Sequence, residues 1–243
     1  MRIDEIRLLA VSCDAAGGIG AKPLDRVRAD PRLVGKLTAR VALMELLAVG
    51  ADPFAISGTF SVEPEPTSRL VIEGIREEVR NAHLGNLRIV CSSEKNFKVK
   101  QTGIGITAIG LVQNSLVKTG RCKQGDEIVA VGKLCVGREV IQSEKERKIA
   151  DTLDVIRLRK SSLVHELIPV GSKGILYEAN VMAKDSKLSF EASVPPLTSL
   201  DKSAGPATVL LVALRKGSFT KFKRAAGRKP VRKVGTLQSK SHP

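Results

Sequence analysis

Asp14 follows an apolar run, Leu8 to Val11, and three glycines, Gly17, Gly18 and Gly20, come within six residues of it. The run reads as a buried strand that ends on the acid. Glycines let the main chain approach a ligand closely, and an acid beside them suits a hard cation bridged to phosphate. In that arrangement the carboxylate holds the cation, loop N–H groups face phosphate oxygens, and Lys22 adds positive charge. The same residues also describe a tight turn with a solvated acid. Gly-Gly-Ile-Gly is neither the dinucleotide fingerprint nor the lysine-bearing phosphate loop, because Lys22-Pro23 stands where Gly-Lys-Ser/Thr is needed.

Three further places could do chemistry. Glu45 lies inside a helical pattern that is apolar nearly all round, so its carboxylate must be paired, hydrogen-bonded or metal-bound. A bridge to Arg40 or Lys36 would satisfy it equally well. Ser92 to Thr102 is a polar loop in which Glu94 and Asn96 can be metal or water ligands and Lys98 and Lys100 phosphate partners. A solvated loop is the more ordinary explanation of such a segment. Gly171-Ser172 precedes a predicted helix from Ile175 to about Ala183, where a helix N-terminus offers an anion site.

The elements that must position these residues follow from periodicity. Val34 to Val49 is a helix stopped by Gly50 and Pro53. Phe54 to Val62 is a strand. Glu63-Pro-Glu-Pro66 turns into an amphipathic helix reaching Ala82, capped by Thr67 or Ser68, with Val71, Ile75 and Val79 inward. Leu87 to Cys91 and Gly103 to Val112 are strands. Beyond Gly120 come a strand at Glu127–Leu134, one charged helix over Ser143–Arg159, and strands at 187–193 and 207–214. The order predicts an α+β fold, one sheet with helices on one face, followed by a second α+β domain.

Composition narrows the function. The 243 residues suffice for one large or two modest domains. No apolar run approaches a membrane span, and Met-Arg-Ile-Asp-Glu is no signal peptide. Cys13, Cys91, Cys122 and Cys135 form no C-x-x-C pair, and three sit by apolar runs, which points to buried free thiols and a cytoplasmic setting. The net charge of +15 invites a nucleic-acid reading, but eight of the Lys/Arg and no acid fall in residues 217–243. That segment shows no apolar periodicity and reads as a disordered basic tail. With no Trp and one Tyr there is no stacking platform for single strands.

Asp14 closing a first strand, and a helix ending Glu45-Leu-Leu-Ala-Val-Gly-Ala-Asp-Pro53, together resemble the aminoimidazole ribonucleotide synthetase-like (PurM-like) ATP-binding superfamily. This superfamily includes thiamine-monophosphate kinase, selenophosphate synthetase and a hydrogenase maturation protein. Gly105-Ile-Thr-Ala-Ile-Gly110 and Lys123-Gln-Gly-Asp-Glu-Ile-Val-Ala-Val-Gly132 follow its pattern as well, and the resemblance extends to about residue 215. It implies a PurM-like two-domain architecture. Residues 1–115 would be the ATP- and metal-binding domain, 116–216 a C-terminal α+β domain, and 217–243 the tail. It also implies Mg2+ and ATP, with the metal acids falling on Asp14, on Glu45 (normally Asp) and near Asn96, and a homodimer formed by pairing N-terminal sheets.

Where family kinases carry Asp-x-Ser-Asp-Gly-Leu, this chain has Val170-Gly-Ser-Lys-Gly-Ile175, so Lys173 replaces an acid. The variant most resembles the α-ribazole kinases, which phosphorylate a nucleoside in cobamide salvage. The resemblance thus implies a kinase in which Gly17, Gly18, Gly20, Lys22, Lys98 and Lys100 hold ATP. Asp14 and Lys173 would be catalytic, and Gly171, Ser172 and His165 would meet the acceptor. A structural histidine is the more ordinary reading of His165. A ring-closing or dehydrating ATP-dependent synthetase and a nucleic-acid binder using the tail are the alternatives.

Overall fold

The computed structural model describes residues 1–193, 200–225, 227 and 229–240. The chain divides into two units, Met1–Val117 and Lys118–Pro243.

The first unit is a four-stranded sheet in the order β1 (Arg7–Gly17), β6 (Gly103–Gln113), β4 (Asp52–Phe60), β5 (Arg88–Ser93). β1 and β4 run antiparallel to β6, and β5 runs parallel to β4. Two short strands, β2 (Ile19–Gly20) and β3 (Val27–Arg28), pair within the loop after β1. Helices α1 (Pro31–Ala48) and α2 (Arg69–Asn81) cover one face. Ile104, Ile106 and Ala108 of β6 and Ile56 and Phe60 of β4 are buried on that face. α1 starts where Asp30 accepts from the Arg32 N–H and Pro31 takes the first position. The two helices cross closely. A Cβ on Gly35 would lie 2.2 Å from the Val71 carbonyl oxygen, and one on Gly74 would lie 1.9 Å from that of Arg32. At the crossing Arg40 (Nε, Nη2) donates to both oxygens of Glu78 at 3.1 and 3.0 Å, and both side chains are buried.

β1 extends past Asp14 to Gly17, so the acid lies within the strand, opposite Ile106, and not at its end. The strand is also not buried on both sides. Its even residues face the helices, and its odd ones share an open face with Val90 of β5, so that Val11 is 53% and Val90 69% exposed.

The second unit is a five-stranded antiparallel sheet in the order β8 (Val164–Pro169), β10 (Leu210–Leu214), β7 (Glu127–Val131), β11 (Val231–Ser239), β9 (Leu188–Ala192). Every residue of β7 and β10 is buried. α5 (Gly174–Asp185) packs against this sheet through Ile175, Ala179 and Met182. In place of one long charged helix there are two, α3 (Arg138–Lys145) and α4 (Thr152–Leu158). Asp151 and Asp154 form a capping box that starts the second.

The disordered tail is the largest correction. Residues 219–225 form helix α6 (Phe219–Ala225), and 231–239 form β11, between β7 and β9. Val234 and Leu237 are fully buried. The acids that the segment lacks are supplied by the rest of the unit: Lys233 pairs with Glu127, and Lys229 with both Asp151 and Asp154. Arg228 and residues 241–243 lie outside the described residues. No described helix is long and apolar enough to cross a membrane. All four cysteines are free; Cys122 and Cys135 are buried, Cys91 is half-buried and Cys13 is exposed.

Candidate functional site

Asp14 is placed by strand alternation. Ala10, Ser12, Asp14 and Ala16 face α1, and Ser12 Oγ donates to the Ala42 carbonyl at 2.6 Å. Asp14 has no side-chain partner among the described residues, and its carboxylate accepts only from the Ala15 N–H. Burial pushes its pKa up from 3.8 to about 6. A half-buried carboxylate without a protein counter-charge fits a site completed by a bound cation.

Glu45 lies on α1 one residue before Leu46. Gly110 pairs with Ala10, and a Cβ on Gly110 would lie 2.7 Å from Leu46 Cδ2. The end of α1 therefore lies over Ala10, on the far side of the Ser12–Ala42 contact from Asp14. Four strand residues separate those levels, about 13 Å at roughly 3.3 Å per residue. Glu45 itself is half-buried. Lys36 pairs with Glu77 and Arg40 with Glu78 on α2, and Glu45 has a partner of its own within the fold. Asn96 is exposed, and its N–H donates to Glu94 Oε1 at 2.6 Å. Backbone N–H groups, that of Asn96 foremost, hold the Glu94 carboxyl below its usual range. No group of three His, Cys, Asp or Glu is arranged for a metal among the described residues.

The glycine loop is organised by a residue that sequence reasoning passed over, Asp25. Its buried carboxylate accepts from the N–H groups of Lys22 (2.8 Å) and Thr102 (2.8 Å) and from Thr102 Oγ1 (2.7 Å). Gly18 N–H donates to the Thr102 carbonyl at 2.8 Å. A Cβ on Gly20 would lie 2.4 Å from Thr102 Oγ1 and 2.8 Å from Asp25 Oδ2, so Gly20 is required by this close approach. Nothing lies within 4 Å of a Cβ built on Gly17. Lys22 does not stand free for phosphate: its ammonium pairs with Glu63, which also accepts from Thr67. Lys98 and Lys100 are exposed, and the Lys100 carbonyl accepts from Leu24. An acid three residues after Lys22 was the available signal for Asp25.

In the second unit, Lys173 is exposed at the N-terminal boundary of α5, with Nζ 4.2 Å from the centroid of the Tyr177 ring. This is a cation–π contact. The expected anion site at Gly171-Ser172 is partly filled by the chain itself. Glu178 accepts from the Gly171 N–H, Gly174 donates to the Gly171 carbonyl at 3.3 Å, and Leu176 donates to that of Leu200 at 3.1 Å. Burial raises the Glu178 carboxyl. His165 Nδ1 lies 2.8 Å from Oδ2 of buried Asp126, which also accepts from the Lys123 N–H at 2.7 Å. His165 thus ties β8 to the turn before β7. Next to it Glu166 accepts from the Arg121 N–H at 2.9 Å and lies 3.3 Å from Cys122 Sγ. Burial pushes the Cys122 thiol up, which leaves it unreactive.

Residues 1–112 match the family AIR synthase related protein, N-terminal domain. No curated protein matches the sequence. Among solved structures, thiamine-monophosphate kinase from Stenotrophomonas maltophilia K279a is similar with a TM-score of 0.67 at 17% identity, over 97% of this chain and 84% of that one. HypE of E. coli, a hydrogenase maturation protein, gives 0.68 at 17% identity, over 96% of this chain and 80% of its own. T. maritima PurL complexed with ATP gives 0.64 at 16% identity over 98% of this chain, which spans 42% of PurL. At these identities the likeness establishes the fold, a mixed α+β PurM-like architecture.

Proposed function

From an AIR synthase-related N-terminal domain within a PurM-like fold, we propose that the chain is a magnesium-ATP-dependent kinase. Its acceptor would be the alcohol of a small molecule, a nucleoside such as α-ribazole. The observation that carries this reading is the match of 97% of the chain to the fold of a thiamine-monophosphate kinase, joined to the uncompensated carboxylate of Asp14. PurL, of the same fold, has been solved with ATP.

When bound, magnesium-ATP supplies the phosphoryl group and the counter-charge that Asp14 lacks. Phosphoryl transfer asks the protein mainly for positioning and electrostatics. Asp14 would hold the cation. Lys98 and Lys100, in the exposed loop with Asn96, would meet phosphate oxygens. Lys173, steadied by Tyr177, would face the transferring group. A homodimer would cover the open face of the first sheet, where Val11 and Val90 are exposed.

The test is incubation with magnesium-ATP and a panel of nucleosides including α-ribazole, read by mass spectrometry. A nucleoside gaining one phosphate supports the kinase. The fold is equally that of HypE and PurL, so the assay also follows ADP and inorganic phosphate. Their release with a dehydrated or cyclised acceptor would make the chain a synthetase. The nucleic-acid alternative would use the basic residues of the second unit, and it predicts binding that falls steeply with salt.

A further inference from the structure

Residues 118–243 carry 25 Lys/Arg and 12 Asp/Glu, a net of +13, against 15 and 13 in residues 1–117. Nearly all of the chain's net positive charge therefore sits on the second unit. Within that unit a pocket of about 380 Å³ opens between the end of β7, the start of β11 and the first turn of α5. Its apolar lining includes Ile175, Leu200, Val209 and Pro230, and among the described residues its only charged lining residues are Lys133 and Arg232. Ile175, Leu200 and Val209 are at most 9% exposed and belong to the core of the unit, so this lining is fixed in place. The two strand ends are tied as well: Gly132 N–H donates to the Pro230 carbonyl at 2.9 Å, and a Cβ on Gly132 would lie 2.4 Å from the Thr208 carbonyl oxygen.

Lys133 and Arg232 are both exposed, and neither makes an ion pair among the described residues. The acids near Lys133 are already engaged, Glu139 by Lys202 at 2.9 Å and Glu146 by Lys148 at 2.6 Å. A preformed apolar cavity of this size with a few convergent polar groups is the usual form of a small-molecule site. Among the described lining residues the charged groups are one guanidinium and one ammonium, and none is a carboxylate. A guanidinium fork and a point cation on one mouth suit a dianion better than a monoanion.

We propose that this pocket binds a small organic phosphate monoester, with its apolar body on Ile175, Leu200 and Val209 and its phosphate between Lys133 and Arg232. The inference does not rest on the kinase reading. It also gives the basic C-terminal segment a role, since β11 and the residue before it supply Arg232 and Pro230.

The test is calorimetric titration of the full chain with 1-naphthyl phosphate, 1-naphthoate, 1-naphthol and inorganic phosphate. The expected result is saturable binding of 1-naphthyl phosphate, with the other three at least about tenfold weaker. Lys133→Glu and Arg232→Glu should each weaken it by about tenfold or more. Lys184→Glu and Lys221→Glu make the same change of charge on other exposed lysines and should leave it unchanged. In methyl NMR the signals of Ile175, Leu200 and Val209 should shift, while those of Ile128 and Leu237 should not. No binding of 1-naphthyl phosphate, equal loss in the two control variants, or shifts that miss the three lining methyls would overturn the proposal. So would tighter binding of 1-naphthoate, or equal binding of 1-naphthol or inorganic phosphate.

Discussion

Replacing Asp14 by Asn should stabilise the first unit while removing the proposed magnesium-dependent turnover. The carboxyl is raised from 3.8 to about 6 by burial, with only the Ala15 N–H acting against that shift. A rise of that size corresponds to roughly 3 kcal/mol. Solvent screening of a side chain that is still partly exposed brings this to about 1–2 kcal/mol. The sign follows from proton linkage. The folded pKa lies above the unfolded one, so the folded protein holds the proton more tightly, and wild-type stability falls as pH rises from about 4 to about 6. The substituted amide does not titrate, so the variant's advantage is full above about pH 6 and fades toward pH 4. Fluorescence would not see the effect, because the chain has no Trp and its one Tyr, Tyr177, lies in the second unit. Hydrogen exchange of the α1 peptide, residues 31–48, reports on the first unit. Without magnesium at pH 7, its slowest amides should exchange about 5–30-fold more slowly in the variant. A variant equally or less protected at pH 7 would refute the claim that Asp14 is an uncompensated carboxylate, and the metal assignment with it.

Lys173→Ala should lower kcat by about a hundredfold with little change in the KM for ATP, as loss of one preorganised charge-stabilising donor does; an unchanged kcat would make Lys173 a surface lysine stacked on Tyr177. Arg40→Leu should cost about 3–5 kcal/mol by leaving the Glu78 carboxylate buried without its guanidinium, whereas the double change with Glu78→Leu should recover much of this in urea unfolding. Truncation after Lys216 removes β11 from between β7 and β9 and uncovers both, so the second unit should lose its exchange protection; a truncated chain with β7 still protected would contradict this topology.

What could be read from the sequence is what depends on neighbours along the chain. α1, α2, β4, β5 and β6 follow from periods of 3.6 and 2, and α1 is buried nearly all round as its composition demands. β11 was not legible for a local reason: a bulge between Lys233 and Gly235 breaks its alternation, so Val234 and Gly235 are both buried. Its charges misled for a non-local one. Eight cations without an acid suggest self-repulsion, but folding places Lys229 and Lys233 against acids 75 to 106 residues away in sequence. The candidate site divides in the same way. Asp14 could be found because the type of residue at a place on a strand is local information. The course of α1 over β1 could not, because two contacts across the fold set it: Ser12 on Ala42, and Leu46 against Gly110. Lys22 repeats the point. Its position behind three glycines suggested phosphate, and Glu63, forty-one residues on, is its partner. Patterns of residue type therefore locate candidate groups here, while the partners across the fold decide which of them remain available to a ligand. By that criterion Asp14, Lys133 and Arg232 are available, and Lys22 and His165 are not.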